Sequence, residues 1–265
     1  MKTIYTIENT NPAFQLNWTV SLFGRVAFTS SSNWLDQLKT ATDRDGVRIL
    51  EFRSTQPNVG QFFVSTRPGL SPSQVVRSLK GRWQYLIRAR HPSAFRRNYF
   101  IGSIGEANCQ ILDQYIAGQT AKHPMADPRV QKQIQSLQFH DATVDLGQVM
   151  TGNYGQFVYA LQVVVENETG WNEIRESVLA DSRAMIIRAA AKKRWRLSRI
   201  GMLSNHIHIL LGVGVTESPA SVALSLMNNL AYLQGMKPVF RFSYYVGTCG
   251  RYDRNAVRRG LDESG

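Results

Sequence analysis

The chain repeats itself, and the repeat limits its architecture more than any other feature. A shift of 147 residues lays SPSQVVRSLKGRWQYL (71–86) on SPASVALSLMNNLAYL (218–233) without a gap and with seven identities: Ser71/Ser218, Pro72/Pro219, Val75/Val222, Ser78/Ser225, Leu79/Leu226, Tyr85/Tyr232 and Leu86/Leu233. With two residues removed from the intervening loop, YFIGSIG (99–105) falls on YYVGTCG (244–250), where every difference except Ile104/Cys249 is conservative. Two segments in the same order point to a duplicated unit of about 105 to 110 residues.

Each unit reads as strand, helix, strand, strand, helix, short strand, helix, the order of an antiparallel sheet with helices packed on one face. First strands are expected over 14–23 and 157–165, both rich in aromatic and β-branched residues. A helix over 34–45 matches one over 181–192, and a strand over 47–53 matches 194–200. Ser-Pro opens the second helix in both copies, with Ser71 or Ser218 as N-cap and the proline at the first helical position, where its missing N–H costs nothing. Val75, Leu79, Trp83 and Leu86 then recur every three or four residues as one apolar stripe. The fold class expected is α+β: two ferredoxin-like or RRM-like antiparallel α/β sandwich domains in tandem, forming an intramolecular pseudo-dimer. The domains are expected over 1–120 and 156–265. Between them 121–155 reads as a polar linker in which ADPRVQKQIQSLQF makes a short helix after its Asp-Pro start.

At 265 residues and 43% hydrophobic, the chain has enough apolar mass for two such cores. Its 31 Lys and Arg outnumber 19 Asp and Glu, giving +12 and a pI near 10.0, which points to a polyanionic partner and first to nucleic acid. No apolar run reaches about 18 residues and no long helix carries a continuous basic face, so a membrane is not expected. MKTIYTIENTNP has no apolar stretch of the kind a secretory signal needs, and the expected location is the cytoplasm. Cys109 and Cys249 make no metal-type pair and are expected as reduced thiols. Basic clusters occur at Arg88, Arg90, Arg96 and Arg97 in copy one and at Lys192, Lys193, Arg194, Arg196 and Arg199 in copy two, with Trp83 and Trp195 nearby. Phosphate contacts combined with aromatic stacking suit single strands or hairpin ends. Arg96 and Arg241 occupy matching places in the repeat.

Two signals carry chemistry. In SNHIHILLGVG, His206 and His208 alternate with Ile207, so on a strand both imidazoles share a face and can bind one metal ion. Partly buried, hydrogen-bonded histidines are the alternative. In ANCQILDQYIAGQ, Tyr115 and Gln119 are four apart on a helix and share its face. A core tyrosine with its hydroxyl at the edge is the alternative there.

With these motifs the sequence resembles the HUH single-tyrosine transposases, including the REP-associated tyrosine transposases. The resemblance rests on His206-Ile207-His208, the helix opening after Ser-Pro, the YFIGSIG stretch, and Tyr115 with Gln119 on a nucleophile helix, and it covers both copies. It implies a homodimer-like architecture in which the tyrosine helix of one unit completes the histidine site of the other. In copy one the histidine positions are Val59 and Gln61. In copy two the position of Tyr115 is Gly260, and that of Gln119 is Ser264. Each copy lacks what the other keeps, so one composite site is expected: Tyr115 as nucleophile, with His206, His208 and the Gln119 amide oxygen around a divalent ion, Mg or Mn. The activity implied is cleavage and strand transfer of single-stranded, hairpin-containing DNA through a 5′-phosphotyrosine, by a functional monomer. A domesticated protein that binds DNA or RNA hairpins without cutting is the alternative from a different class.

Overall fold

A computed structural model of the chain describes residues 3–28, 33–168 and 171–251. In chain order the first half forms β1 (Ala13–Gln15), β2 (Asn17–Gly24), α1 (Trp34–Arg44), β3 (Val47–Gln56), β4 (Val59–Thr66), α2 (Pro72–Ile87), β5 (Phe95–Ile104) and α3 (Cys109–Ala117). The connecting stretch forms α4 (Gln119–Lys122), α5 (Pro128–Ser136), β6 (Phe139–His140) and β7 (Met150–Thr151). The second half forms β8 (Gln156–Val158), β9 (Ala160–Glu166), α6 (Glu176–Lys193), β10 (Arg196–Met202), β11 (His206–Gly212), α7 (Pro219–Leu233) and β12 (Tyr245–Thr248).

The fold is α+β, with two mainly antiparallel sheets in tandem, ordered β3-β4-β2-β5-β8-β7 and β1-β12-β9-β11-β10-β6. Ser71 and Ser218 cap α2 and α7 as their sequences require. The Ser71 hydroxyl accepts from Gln74 N while Gln74 Oε1 accepts from Ser71 N, a reciprocal pair that satisfies two otherwise orphaned donors. Asp127 likewise caps α5, with Pro128 at its first position.

The strand expected over 14–23 breaks at Leu16, and the reason lies in the partner half. β1 adds in parallel to β12 of the second sheet, whereas β2 is central to the first. In the second half β8 adds in parallel to β5 of the first sheet while β9 is central to the second. Leu16 and Tyr159, the residues at the two crossings, are fully enclosed, and Tyr159 meets Trp18 edge-on with ring centroids 5.0 Å apart. One continuous apolar core therefore spans both halves. The stretch 121–155 is more than a tether: β6 extends the second sheet through β10, β7 extends the first through β8, and Ile134, Leu137 and Leu146 are buried.

The repeated Gly-Ser-Ile-Gly and Gly-Thr-Cys-Gly stretches form the seam. The Ser103 hydroxyl donates to the Cys249 carbonyl (2.8 Å) and accepts from Ala160 N (3.1 Å). Thr248 makes the matching pair, donating to the Ile104 carbonyl (2.6 Å) and accepting from Asn17 N (2.9 Å). A Cβ on Gly105 would strike the Thr248 carbonyl, and one on Gly250 would strike the Ser103 carbonyl, so both backbones need glycine to approach this closely. The helix starts also meet across the axis, Ser73 N donating to Val215 O and Ala220 N to Pro68 O. The motif is retained in both copies because it is the surface on which they join.

A composite tyrosine and histidine site as candidate active centre

Ile207, Ile209 and Leu211 turn inward to the common core, leaving His206, His208 and Leu210 on the opposite face of β11. On this face lies α3, supplied by the first half. Ile116 is completely buried there in a cluster with Ala160, Leu210 and Cys249. Gly201, paired with His208 in the β10–β11 ladder, makes the approach possible: a Cβ on it would stand 2.5 Å from Ile116 Cγ2. Asp113 fixes the helix laterally through two bonds to Arg199 on β10, 2.5 Å to Nε and 2.8 Å to Nη2. At the start of α3, the thiols of Cys109 and Cys249 touch, with Sγ atoms 2.7 Å apart and no disulfide. The hydrogen bond with Cys109, together with burial, pushes the Cys249 thiol well above its usual range.

This docking brings Tyr115 and the two histidines together from opposite halves. The Tyr115 ring meets His208 edge-on at 5.8 Å between centroids, and His206 meets His208 at 4.9 Å. Tyr115 remains 42% exposed to solvent. The Lys122 ammonium lies 4.7 Å from the Tyr115 ring centroid. Gln119 sits after a bend: α3 ends at Ala117, Gly118 intervenes, and the buried Gln119 opens α4. Its Nε2 donates to the Tyr115 carbonyl (3.1 Å), which leaves Oε1 as the atom a hard cation would take.

Burial holds the His206 imidazole below its usual range, helped by nearby His123 and opposed by Glu166. Burial, with His206 and His123 beside it, pushes His208 down to about 4. Both are therefore neutral near pH 7, the form that ligates metal. His206 Nδ1 lies 2.7 Å from Asn205 Oδ1, a contact in which the ring donates, so Nε2 carries the lone pair. His208 Nδ1 lies 3.4 Å from Gln162 Nε2, while its own Nε2 is buried without a hydrogen-bond partner. A buried orphan ring nitrogen beside a second imidazole fits a cation. Among the described residues no cluster of three or more His, Cys, Asp and Glu side chains is arranged for a metal ion.

His123 was not singled out by sequence, yet its ring stands 5.5 Å from that of His206. A signal existed: 115, 119 and 123 continue one helical stripe, and His123 N donates to the Gln119 carbonyl. In the first half, β2 pairs Ser21 with Gln61 and Phe23 with Val59, whereas β9 pairs Val164 with His208 and Glu166 with His206. Ladder register thus sets Val59 and Gln61 at the histidine positions. Gln61 donates to Thr19 there (3.2 Å) and Val59 packs on Phe23, which makes an ordinary sheet face. Gly260 and Ser264 lie outside the described residues.

The basic residues distribute unevenly. Arg88, Arg90, Arg96 and Arg97 are exposed in the first half, as are Lys192, Lys193 and Arg194 at the end of α6. Arg241 pairs with Glu166 (2.9 Å), Arg199 is committed to Asp113, and Arg196 donates to the Asp145 carbonyl (2.8 Å). Trp83 and Trp195 are correctly placed in sequence but not on the surface: they are only 2% and 6% exposed. Trp83 stacks on Trp34 inside an aromatic cluster, and Trp195 donates to Glu217, so neither offers a face to a base.

Residues 29–119 match the family model described as "Transposase IS200 like", a span that runs through the tyrosine helix to Gln119. No curated protein sequence matches the chain. Among solved structures, similarity is found to a putative transposase from Deinococcus radiodurans R1, at 14% identity over 40% of this chain and 92% of that one, TM-score 0.32. A REP-associated tyrosine transposase bound to a REP hairpin is similar at 11% identity over 38% of this chain and 62% of that one, TM-score 0.31.

Proposed function

We propose that this chain, whose residues 29–119 carry the IS200-like transposase signature, is a single-stranded DNA endonuclease and strand transferase with one composite active site per molecule. The observation that carries the reading is the contact of Tyr115, from the first half, with His208, from the second, across a seam built for that purpose. Tyr115 is the nucleophile. Its Oη attacks the scissile phosphorus, the P–O3′ bond breaks, the phenolic proton is lost to solvent, and the departing 3′ oxygen takes up a proton. The product is a 5′-phosphotyrosine and a free 3′-hydroxyl. Because the linkage keeps its phosphodiester energy, a 3′-hydroxyl from another strand reverses it.

His206, His208 and Gln119 Oε1 would hold a divalent ion, Mg or Mn, which supplies charge neutralisation and polarisation of the phosphate. The protein's own contribution is placement. Ile116, Gly201 and the Asp113–Arg199 pair set the height and azimuth of Tyr115, Asn205 fixes the His206 tautomer, and Lys122 offers a cation beside the phenol. With one such site per chain, the functional unit is a monomer of DNA-hairpin specificity.

The test is incubation with end-labelled hairpin-tailed single-stranded DNA and Mg or Mn. A denaturation-resistant adduct that disappears in Tyr115→Phe and in His206→Ala supports the reading. Absence of adduct on every substrate, with metal-independent hairpin binding, would transfer the conclusion to a binding protein without cleavage.

A further inference from the structure

One stretch of the repeat differs sharply in charge between the two copies. From 52 to 105 there are nine Lys and Arg and no Asp or Glu, whereas the matching stretch 199–250 has Arg199, Lys237 and Arg241 against Glu217. Arg199 and Arg241 are moreover consumed in ion pairs. This stretch of the first half is thus far more basic than its counterpart in the second.

Its focus is the outer face of α2. Arg77, Gly81 and Tyr85 follow one another at intervals of four and Arg88 continues the row, all exposed. Tyr85 is 61% exposed, with the Arg88 guanidinium 4.0 Å from its ring centroid. Arg82 is held upright by both oxygens of Asp45, at 3.0 and 2.7 Å. Arg77, Arg82 and Tyr85, with Asp45, edge a shallow groove of about 490 Å³, and Arg88 lies just beyond it on the same row. Gly81 lines the groove, in the middle of a helix, where glycine is disfavoured, and a Cβ there would meet nothing within 4 Å. No contact inside the protein requires the glycine.

The other copy shows what such a helix face can carry. The counterpart of Gly81 is Asn228, whose Oδ1 accepts from Ile4 N (2.9 Å) and Tyr5 N (3.0 Å) and whose Nδ2 donates to Tyr5 O (2.7 Å). On α7 residues 4 and 5 of the chain itself thus bind the helix at this position, and Leu224, the counterpart of Arg77, is buried. On α2 the same position is bare and basic.

We propose that the outer face of α2 is a DNA-docking surface that receives an extended strand, with phosphates on Arg77 and Arg88 and an unpaired base on Tyr85. Each molecule then grips DNA on its first half and presents the histidines of its second. The choice of DNA among polyanions rests on the proposed function. The groove itself stands on the charge asymmetry and the bare glycine.

The experiment is fluorescence anisotropy with a labelled DNA hairpin carrying a single-stranded tail, in EDTA, across a salt series, with melting temperatures measured in parallel. Tyr85→Ala should weaken binding about 5- to 150-fold, the range of one base–aromatic stack. Arg77→Ala and Arg88→Ala should each lower the slope of log K against log salt by about 0.7. Gly81→Ala should raise the melting temperature, because alanine favours a helix, yet weaken binding, and Gly81→Glu should weaken it about tenfold or more. A purely structural glycine would do the reverse. Tyr232→Ala, on the equivalent face of α7, should bind as the parent does. Binding unchanged within twofold in Tyr85→Ala and Gly81→Glu overturns the proposal, as does equal loss in Tyr232→Ala. Tighter binding to RNA of the same sequence by tenfold or more overturns the assignment to DNA. Adduct formation is read separately: patch-dependent binding without adduct sinks the cleavage reading alone, and adduct with patch-independent binding sinks this one alone.

Discussion

Substituting Gly201 with alanine should disable the site without touching any residue that meets substrate. The added methyl would stand 2.5 Å from Ile116 Cγ2, where carbon atoms in contact prefer about 3.5 to 4.0 Å, so α3 must retreat by roughly 1 Å. Ile116 cannot swing aside, being fully enclosed with Leu210, Ala160 and Cys249. Overpacking of this kind costs about 1–3 kcal/mol of stability. A displacement of about 1 Å between nucleophile and phosphate costs on the order of 100-fold in rate. The assay is the rate of covalent adduct formation at saturating DNA, with urea unfolding of the same samples. Ile116→Ala removes the offending Cγ2 at a cost of about 2–5 kcal/mol in stability. In that background Gly201→Ala should be milder by at least about 1 kcal/mol and by most of its rate effect, a coupling that only neighbours produce. Equal penalties in the two backgrounds, or an undiminished adduct rate in Gly201→Ala, would refute the docking of α3 by this contact.

Arg199→Lys should fail to restore what Arg199→Ala loses, since a single ammonium cannot make the two-pronged bond to Asp113; adduct rates of the two variants should agree within a few-fold. Thr248→Val strands the Asn17 N–H at the seam and should cost about 1–3 kcal/mol in denaturant unfolding, with Ser103→Ala similar by symmetry. His208 has a folded pKa of about 4 against an ordinary value of about 6.5, so the unfolded chain binds its proton first. Its contribution is complete above about pH 6.5 and lost as pH falls toward 4, by about 3 kcal/mol at most. Metal-free His208→Gln, which installs the residue found at Gln61, should flatten that part of the stability profile relative to the parent.

The repeat made the fold readable because a duplicated pattern checks itself: Ser-Pro starts, apolar stripes and glycine stretches each occur twice at related spacings. That Tyr115 of one copy should meet His206 and His208 of the other was legible from the motifs each copy keeps, and their rings do lie together. The exchange of β1 and β8 was not legible, because Phe14 and Phe157 have the composition of any strand, and which sheet a strand joins is decided by the seam. His123 was overlooked because its spacing from Tyr115 extends past Gly118, where a helix is expected to end. Trp83 and Trp195 misled because aromatic residues beside arginines look alike whether they face water or the core. Only the three-dimensional packing of Trp34, Phe28 and Phe62 around Trp83 separates the two cases.

The reciprocal exchange of β1 and β8 bears on the history of the molecule. In an assembly of two identical chains, every substitution is made twice, so neither side can give up a histidine or gain an arginine alone. Joining the copies ends that constraint, while β1 and β8, each lodged in the other's sheet, keep the halves from being inherited or folded separately. One side is then free to collect positive charge and the other to keep the imidazoles, and the pair stays matched one to one in every molecule made.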